Sequence, residues 1–278
     1  TENLSYYPKT FVGVMRFALI ALVAIAVAAP TVTAYDQTTA LRAVFYSKSA
    51  YCSEATIRAW NGPSCAQNPG LNNISVFNHN TWQIQAFTGY DPINNLIVLA
   101  FRGSSNIKNW LADLKFDKVA YNRPGCNGCK VHGGFLSAWT DMAPSVIAQV
   151  EQLTTTMPGA SLFITGHSLG AAVAQLATLD IQLAVSGVPF TLTTFGEPRV
   201  GDPTFVQWVG TQYAHRHVRV THHLDPVPHV PPMAFGFLQV PTEVWFDNNG
   251  HTDPKFCSDS YSAEDPNCSD SIIPIDVP

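Results

Sequence analysis

Residues 161–177 constrain this chain more than any other stretch. They read Ser-Leu-Phe-Ile-Thr-Gly-His-Ser-Leu-Gly-Ala-Ala-Val-Ala-Gln-Leu-Ala. Leu162, Phe163 and Ile164 form a short apolar run of strand-like composition. Leu169, Val173, Leu176, Leu179 and Leu183 recur at helical spacing. Between them lies Gly166-His167-Ser168-Leu169-Gly170, which fits Gly-x-Ser-x-Gly. Strand, tight turn and helix are the context of a nucleophile elbow. Such a turn is strained, so its flanks must be small. Gly166 and Gly170 supply the freedom, and Ala171 and Ala174 let the helix approach the strand. Ser168 Oγ then stands at the top of a sheet, facing the first helical N–H groups, where an oxyanion can form. The bare pattern arises by chance in about one chain in ten of this length. The strand before it and the small-residue helix after it give it weight.

The 278 residues are 46% hydrophobic, enough for one sizeable core in a single α/β domain. Net charge is −5 with 13% charged residues and no basic patch, which argues against nucleic acid as a partner. The chain starts at Thr1. Met15-Arg16, the apolar run Phe17 to Ala29 and the small residues Val32-Thr33-Ala34 then read as a secretory signal peptide cleaved after Ala34. The alternative is a membrane anchor over 11–29, but Arg16 interrupts that run and Pro30 closes it. Residues 1–34 are therefore set apart from the folded domain, 35–278, which is expected outside the cell with no membrane span after cleavage.

Six cysteines suit an oxidising compartment. Cys126 and Cys129, in Cys-Asn-Gly-Cys, can be a redox pair, metal ligands or a tight structural disulfide. No second Cys-x-x-Cys accompanies them, and the signal peptide argues against zinc. Cys257 and Cys268 can close a short loop, leaving Cys52 and Cys65 to pair by elimination. Asn73-Ile74-Ser75 is a glycosylation sequon in a polar stretch, and Asn267-Cys268-Ser269 is a second with a cysteine at its centre.

Residues 36–60 read as an opening helix, 61–80 as loop, 81–88 as a half-buried strand, and Leu96 to Phe101 as a buried strand that makes a hairpin with it. Ile107, Trp110, Leu111 and Leu114 then fall on one helical face, with Lys108, Asn109 and Asp113 on others. That short helix is either packed on the core or a mobile lid. Val119 to Pro124 reads as loop. A long helix follows with the apolar face Phe135, Trp139, Met142, Val146, Val150 and Leu153. Strands are expected at 191–195 and 217–221. Alternating strands and helices argue for a mainly parallel sheet.

A serine hydroxyl needs a positioned base, commonly a His that a carboxylate orients. In chain order the acid should follow the Ser and sit in a loop after a strand. Asp225, in His222-His223-Leu224-Asp225-Pro226-Val227-Pro228, fits, with Asp202 as the other candidate. An Asp before Pro is also a common turn residue. His229 and His251 alone follow residue 225. His229 is too near Asp225 on one Pro-rich loop, and His251 sits in a turn. His132, His167, His222 and His223 read as structural.

Five blocks carry a resemblance in order. They are 101–114 from Phe-Arg-Gly-Ser-Ser to Trp-Leu-Ala-Asp-Leu, Lys130-Val131-His132-Gly133-Gly134-Phe135, the Gly-His-Ser-Leu-Gly turn, 195–201 around Gly-Glu-Pro-Arg, and 220–228 through Asp-Pro-Val-Pro. The chain resembles the fungal class 3 lipases over roughly residues 40–270. The resemblance implies an α/β-hydrolase fold with a helical lid, in a monomer acting on lipid esters at an oil–water interface without metal or organic cofactor. It implies Ser168 as nucleophile, Asp225 as acid, Ser104 and the Leu169 N–H as oxyanion hole, and Ile107, Trp110 and Leu111 as the lid's apolar face. It also supports Cys126–Cys129 and Cys257–Cys268 as disulfides. Feruloyl esterases share the Cys-Asn-Gly-Cys-x-Val-His-Gly-Gly segment but have a more polar lid equivalent, so Ile107, Trp110 and Leu111 favour the lipase. In similar lipases a segment like 268–274 runs on to Asp-His, an aromatic stretch and a terminal Cys that partners the Cys52 position. The expectation is therefore that the catalytic His lies beyond Pro278. His251 as substitute base, or an inactive homologue, is the alternative.

Overall fold

Asp36 sets the first element. Its carboxylate accepts the Thr39 N–H at 2.7 Å and caps helix α1 (Gln37–Ser49). The computed structural model describes residues 35–213, 216–248 and 253–272. The expected single helix over 36–60 is two helices. Ser53 accepts from Thr56 at 3.2 Å and starts α2 (Glu54–Ala59), which Trp60 ends in left-handed conformation, φ 49°. Residues 61–80 are not all loop. They hold a short 3₁₀ turn and strand β1 (Asn72–His79), which takes its pairing from β2 (Ile84–Asp91). β1 is half-exposed with no clean alternation, so its sequence carries no strand period.

β2 and β3 (Leu96–Phe101) form the expected antiparallel hairpin. Helix α3 (Ile107–Asp113) follows. Strand β4 (Lys118–Ala120), where loop was expected, pairs with β5 (Lys130–His132) in a small separate ribbon. Then come α4 (Gly133–Thr156), β6 (Ser161–His167), α5 (Leu169–Ala184), β7 (Phe190–Phe195), α6 (Pro203–Tyr213), β8 (His217–His222), β9 (Glu243–Phe246) and β10 (Lys255–Phe256). Among the described residues the main sheet has eight strands in the order β1-β2-β3-β6-β7-β8-β9-β10. β3, β6, β7, β8 and β9 run parallel, and the antiparallel strands sit at the two edges.

Successive residues of the central strands feed opposite faces, as a pleat demands. Leu99, Phe101, Leu162 and Ile164 join α4 and α5 in the larger core, and Val98, Ala100 and Phe163 join α1 in the smaller one. The predicted face of α4 is buried at all six positions from Phe135 to Leu153. Helix α5 is buried continuously from Leu169 to Ile181, so its stripe marks one side of a helix covered all round except at its end, where Leu183 is exposed. Asp180 on α5 ties this side together. It accepts from Tyr121, twice from Arg123 and from Trp139 Nε1, at 2.6–3.0 Å.

Cys126–Cys129 and Cys257–Cys268 are disulfides. Cys52 and Cys65 do not form the pair that elimination suggested. Both are free thiols, and Gly62 is wedged beside them, where a Cβ would lie 3.4 Å from each sulfur.

Candidate active site

The parallel register brings four strand ends level. Phe101 pairs with Gly166, His167 with Phe195, and Phe195 with Val220. Loops leaving these strands therefore meet on one edge, the place where open α/β sheets carry their sites. Ser168 occupies the turn from β6 into α5 with φ 57° and ψ −131°, a sparsely populated conformation held by its surroundings. Its N–H donates to the Phe195 carbonyl at 3.0 Å, and its own carbonyl accepts from Ala171 at 2.9 Å. The flanking glycines are obligatory. A Cβ on Gly166 would lie 2.3 Å from the Gly170 carbonyl oxygen, and one on Gly170 would lie 2.6 Å from the Phe101 oxygen.

Ser168 is fully buried, and its Oγ has no hydrogen-bond partner among the described residues. Its neighbours open onto separate spaces. Leu169 and Ser104 line a groove of about 790 Å³ together with Trp82, Trp110 and Phe135. His167 lines a cavity of about 390 Å³ with Gly196, His222, His223 and Asp225.

Asp225 stands in the loop after β8. Its Oδ1 accepts the Val227 N–H at 3.0 Å, a turn bond that fixes the carboxylate. Gly196 allows the approach. It has φ 53°, and a Cβ there would lie 2.7 Å from Asp225 Oδ2 and 3.8 Å from His167 Nε2. The alternative acid, Asp202, is occupied as the cap of α6, accepting from Phe205 at 2.9 Å. His229 turns away from Asp225 to Asp270, 3.7 Å distant. His222 and His223 reach Asn248 and Asp247 instead. Among the described residues no histidine is hydrogen-bonded to Ser168 or Asp225, and His251 lies outside those residues.

Ser104 follows β3. Its hydroxyl donates to the Asn106 carbonyl and accepts the Asn106 N–H, both at 3.2 Å. The backbone N–H groups of Ser104 and Leu169 have no acceptor among the described residues. Asn106 also caps α3, accepting from Asn109 at 3.1 Å. Ile107, Trp110 and Leu111 are half-buried and Lys108, Asn109 and Asp113 exposed, but of the first three only Trp110 lines the groove, with Asn109 and Asp113 beside it. No residue of α3 is fully buried. Trp110 stacks on Phe135 with ring centroids 6.3 Å apart, which lays α3 over the groove. His132 anchors its far end. One ring nitrogen accepts the Phe135 N–H and caps α4, and the other donates to the Lys115 carbonyl. Burial holds the His132 imidazole below the usual histidine range, against the pull of the Lys115 carbonyl and Asp117.

Three residues of this region were not singled out as site residues by sequence reasoning. Tyr51, just after α1, bridges Gly103 and His167. His132, the cap residue before α4, is marked in the sequence only by its place in the Lys130–Phe135 block. Arg199 is buried in the 195–201 block and ties the Asp225 loop to Glu264 and Asp270.

The sheet, its flanking helices and the serine turn define an α/β-hydrolase fold. A profile of the family "Lipase (class 3)" matches residues 98–235. The lipase of Rhizomucor miehei is 35% identical over 233 residues, 82% of this chain and 62% of its own length. The "Secreted mono- and diacylglycerol lipase 1" of Fusarium solani is 36% identical over 226 residues, 79% of this chain and 66% of its own. The chain thus spans less than two thirds of the length of these curated relatives. A solved structure of Rhizomucor miehei triacylglyceride lipase superposes with a TM-score of 0.79 at 33% identity, covering 87% of this chain and 92% of that one. Lipase II from Rhizopus niveus gives 0.77 at 30% identity, covering 85% and 89%. The chain belongs to the class 3 lipase family.

Proposed function

We propose that this protein is a secreted serine ester hydrolase that cleaves acylglycerols through an acyl-enzyme on Ser168. The observation that carries the reading is the strained, buried turn at Ser168, whose neighbour His167 shares a cavity with Asp225 and whose neighbour Leu169 lines a groove with Ser104. Ser168 Oγ attacks the ester carbonyl and forms a tetrahedral intermediate. The N–H groups of Ser104 and Leu169 receive its oxyanion, each such donor lowering the barrier by about 3 kcal/mol. An imidazole oriented by Asp225 takes the serine proton and returns it to the departing alcohol. Water then releases the fatty acid by the same steps in reverse. The groove under α3, lined by Trp82, Trp110 and Phe135, is the acyl-chain site in this reading.

Full burial of Ser168 means that substrate enters only when something moves. We assign that motion to α3, which is short and has no fully buried residue. Exposing Ile107, Trp110 and Leu111 costs less against lipid than against water, so the open form is favoured at an oil–water interface. Secretion is supported by the signal-like residues 1–34, which lie outside the described residues, and by the name of the Fusarium relative.

The test is hydrolysis of emulsified triacylglycerol, soluble feruloyl esters and a short-chain nitrophenyl ester, with Ser168→Ala beside the parent chain. Emulsion preference that Ser168→Ala abolishes supports the reading, and preference for feruloyl esters overturns the lipase assignment. His251→Ala separates two sources of the base. If activity collapses, His251 supplies it. If a low activity is unchanged, the base is not His251, and the remainder is the residual catalysis of an oxyanion hole.

A further inference from the structure

We infer that Asn73 is an N-glycosylation site and that the second sequon, at Asn267, is closed by the fold. The inference rests on the proposed secretory route, because the donor is a lipid-diphosphate-linked oligosaccharide met only there. In the transfer, Asn73 Nδ2 bonds to the sugar C1 as the C1–O bond to the diphosphate breaks. The diphosphate leaves with the electron pair, and the amide nitrogen gives up one proton. The acceptor must lie in Asn-x-Ser/Thr and, once folded, must leave room for a bulky polar group.

Asn73-Ile74-Ser75 meets both conditions. The ladder between β1 and β2 pairs Asn72 with Tyr90 and next Ser75 with Thr88, so β1 carries one extra residue there. A bulge leaves such residues out of the pairing and turns their side chains. Asn73 has φ 51°, a left-handed conformation that Asn tolerates better than most residues. It is exposed, and its side-chain amide has no hydrogen-bond partner among the described residues. β1 is also the edge strand of the sheet, and among the described residues no further strand pairs with it.

The second sequon has the same pattern and an equally exposed Asn267, but its other two residues are buried and its amide is already hydrogen-bonded. Cys268 is completely buried and bridged to Cys257, and Ser269 is buried. Asn267 Nδ2 donates to Asp265 Oδ1 at 3.2 Å, its N–H donates to the same oxygen at 2.9 Å, and its carbonyl accepts from Lys255. A glycan there would have to coexist with the disulfide and with the segment clamped by Arg199.

The position of Asn73 also says what a glycan does. β1 runs from Asn73 towards His79 and the 80–83 turn, which lines the groove. Six residues of strand put Asn73 about 20 Å from that end. A glycan at Asn73 therefore leaves the groove open and covers the start of an exposed edge strand, where bare N–H and C=O groups would template pairing with another chain.

The experiment expresses the full chain in a yeast secretory host, once with its own N-terminus and once behind an established leader. Peptides are mapped by mass after an amidase that converts glycosylated Asn to Asp. Conversion at Asn73 and not at Asn267, with loss of the gel shift in Asn73→Gln and Ser75→Ala, is the expected result. Hydrolysis of a soluble ester should be unchanged in both variants. An unmodified Asn73 in chain that the leader has carried out of the cell overturns the inference. Conversion at Asn267 overturns the claim that the fold closes it. Export with the leader but not without it counts against the secretion reading alone.

Discussion

The Tyr51 hydroxyl stands 2.7 Å from His167 Nδ1 and accepts the Gly103 N–H at 3.0 Å. Either tautomer of His167 can complete this contact, and its other ring nitrogen is Nε2. That nitrogen faces Gly196 and Asp225. One phenol thus pins the turn that carries Ser168 to the turn that carries Ser104. Burial keeps the His167 imidazole below the usual histidine range while the Asp225 charge pulls it up.

Tyr51→Phe removes this bridge and little volume. The Gly103 N–H and His167 Nδ1 lose their partner, at a cost of about 1–2 kcal/mol in unfolding free energy. If the two turns must hold Ser168 and Ser104 in register, kcat on a soluble nitrophenyl ester falls by roughly tenfold with KM nearly unchanged. Urea unfolding and steady-state kinetics on the same preparation check both. Lower stability with unchanged kcat would show a structural bridge only.

Gly196→Ala tests the role of Asp225 without touching it. The new methyl would meet Asp225 Oδ2 at 2.7 Å in a backbone with φ 53°, so the carboxylate must move or the turn must distort. Activity should fall by at least about a hundredfold if a misplaced acid no longer orients the base. Near-ultraviolet circular dichroism, expected to stay native-like, separates this from misfolding. Retained activity would remove Asp225 from the mechanism.

These two relationships differ in how far the sequence reveals them. The Ser168 turn is legible because its requirements are local: an apolar strand, small flanks and a helix within 17 residues of sequence. The same holds for α3, whose apolar face repeats over two turns, and for Asp225 in its Pro-rich loop. Tyr51 meets His167 across 116 positions, and no periodicity or spacing marks such a pair. β1 was invisible for a related reason. It is a half-exposed edge strand defined by its partner β2 rather than by alternation of its own. Arg199 meets Glu264 and Asp270, 65 and 71 positions later in the chain, only through the fold that buries it.

Two imidazoles, the buried His132 and the half-buried His167, link the stability of the fold to pH. His132 and His167 both have pKa values lowered mainly by burial. The unfolded chain titrates them near 6.5. Between that value and the lower folded values, the unfolded state binds more protons. Stability is therefore fully present above about pH 6.5, declines as pH falls through that window, and levels off below the folded values. His132→Asn keeps a capping acceptor for α4 and cannot titrate there. The urea midpoint should fall between pH 7.5 and 5 in the parent, and less steeply in the variant. Equal slopes would take His132 out of the account. Asp270, lowered chiefly by its bond to His229, acts in a separate window at the acid end, where its protonation removes stability.

Arg199 is 2% exposed and holds three segments at once. Its Nε and Nη2 donate to the two Glu264 oxygens at 2.8 and 2.7 Å, and Nη2 also reaches Asp270 at 3.2 Å. Nη1 donates to the His229 carbonyl at 2.6 Å, and the backbone N–H donates to Val230 at 2.9 Å. The loop that begins with Asp225 is thereby fastened to the segment around 264–270. Removing one member of a buried ion pair leaves the others uncompensated, and Arg199→Met should cost about 3–5 kcal/mol. Arg199→Lys should recover little of it, because an ammonium cannot match the two-pronged contact with Glu264. Adding Glu264→Met to Arg199→Met removes the orphaned carboxylate, so the double variant should be more stable than Arg199→Met alone. Because the clamp is buried, raising salt to 1 M should change these differences little. Urea unfolding of the parent, Arg199→Met, Arg199→Lys, Glu264→Met and the double variant at low and high salt measures all of this. Additive losses in the double variant would show that Arg199 and Glu264 act independently, and that the short contacts between them do not hold the Asp225 loop in place.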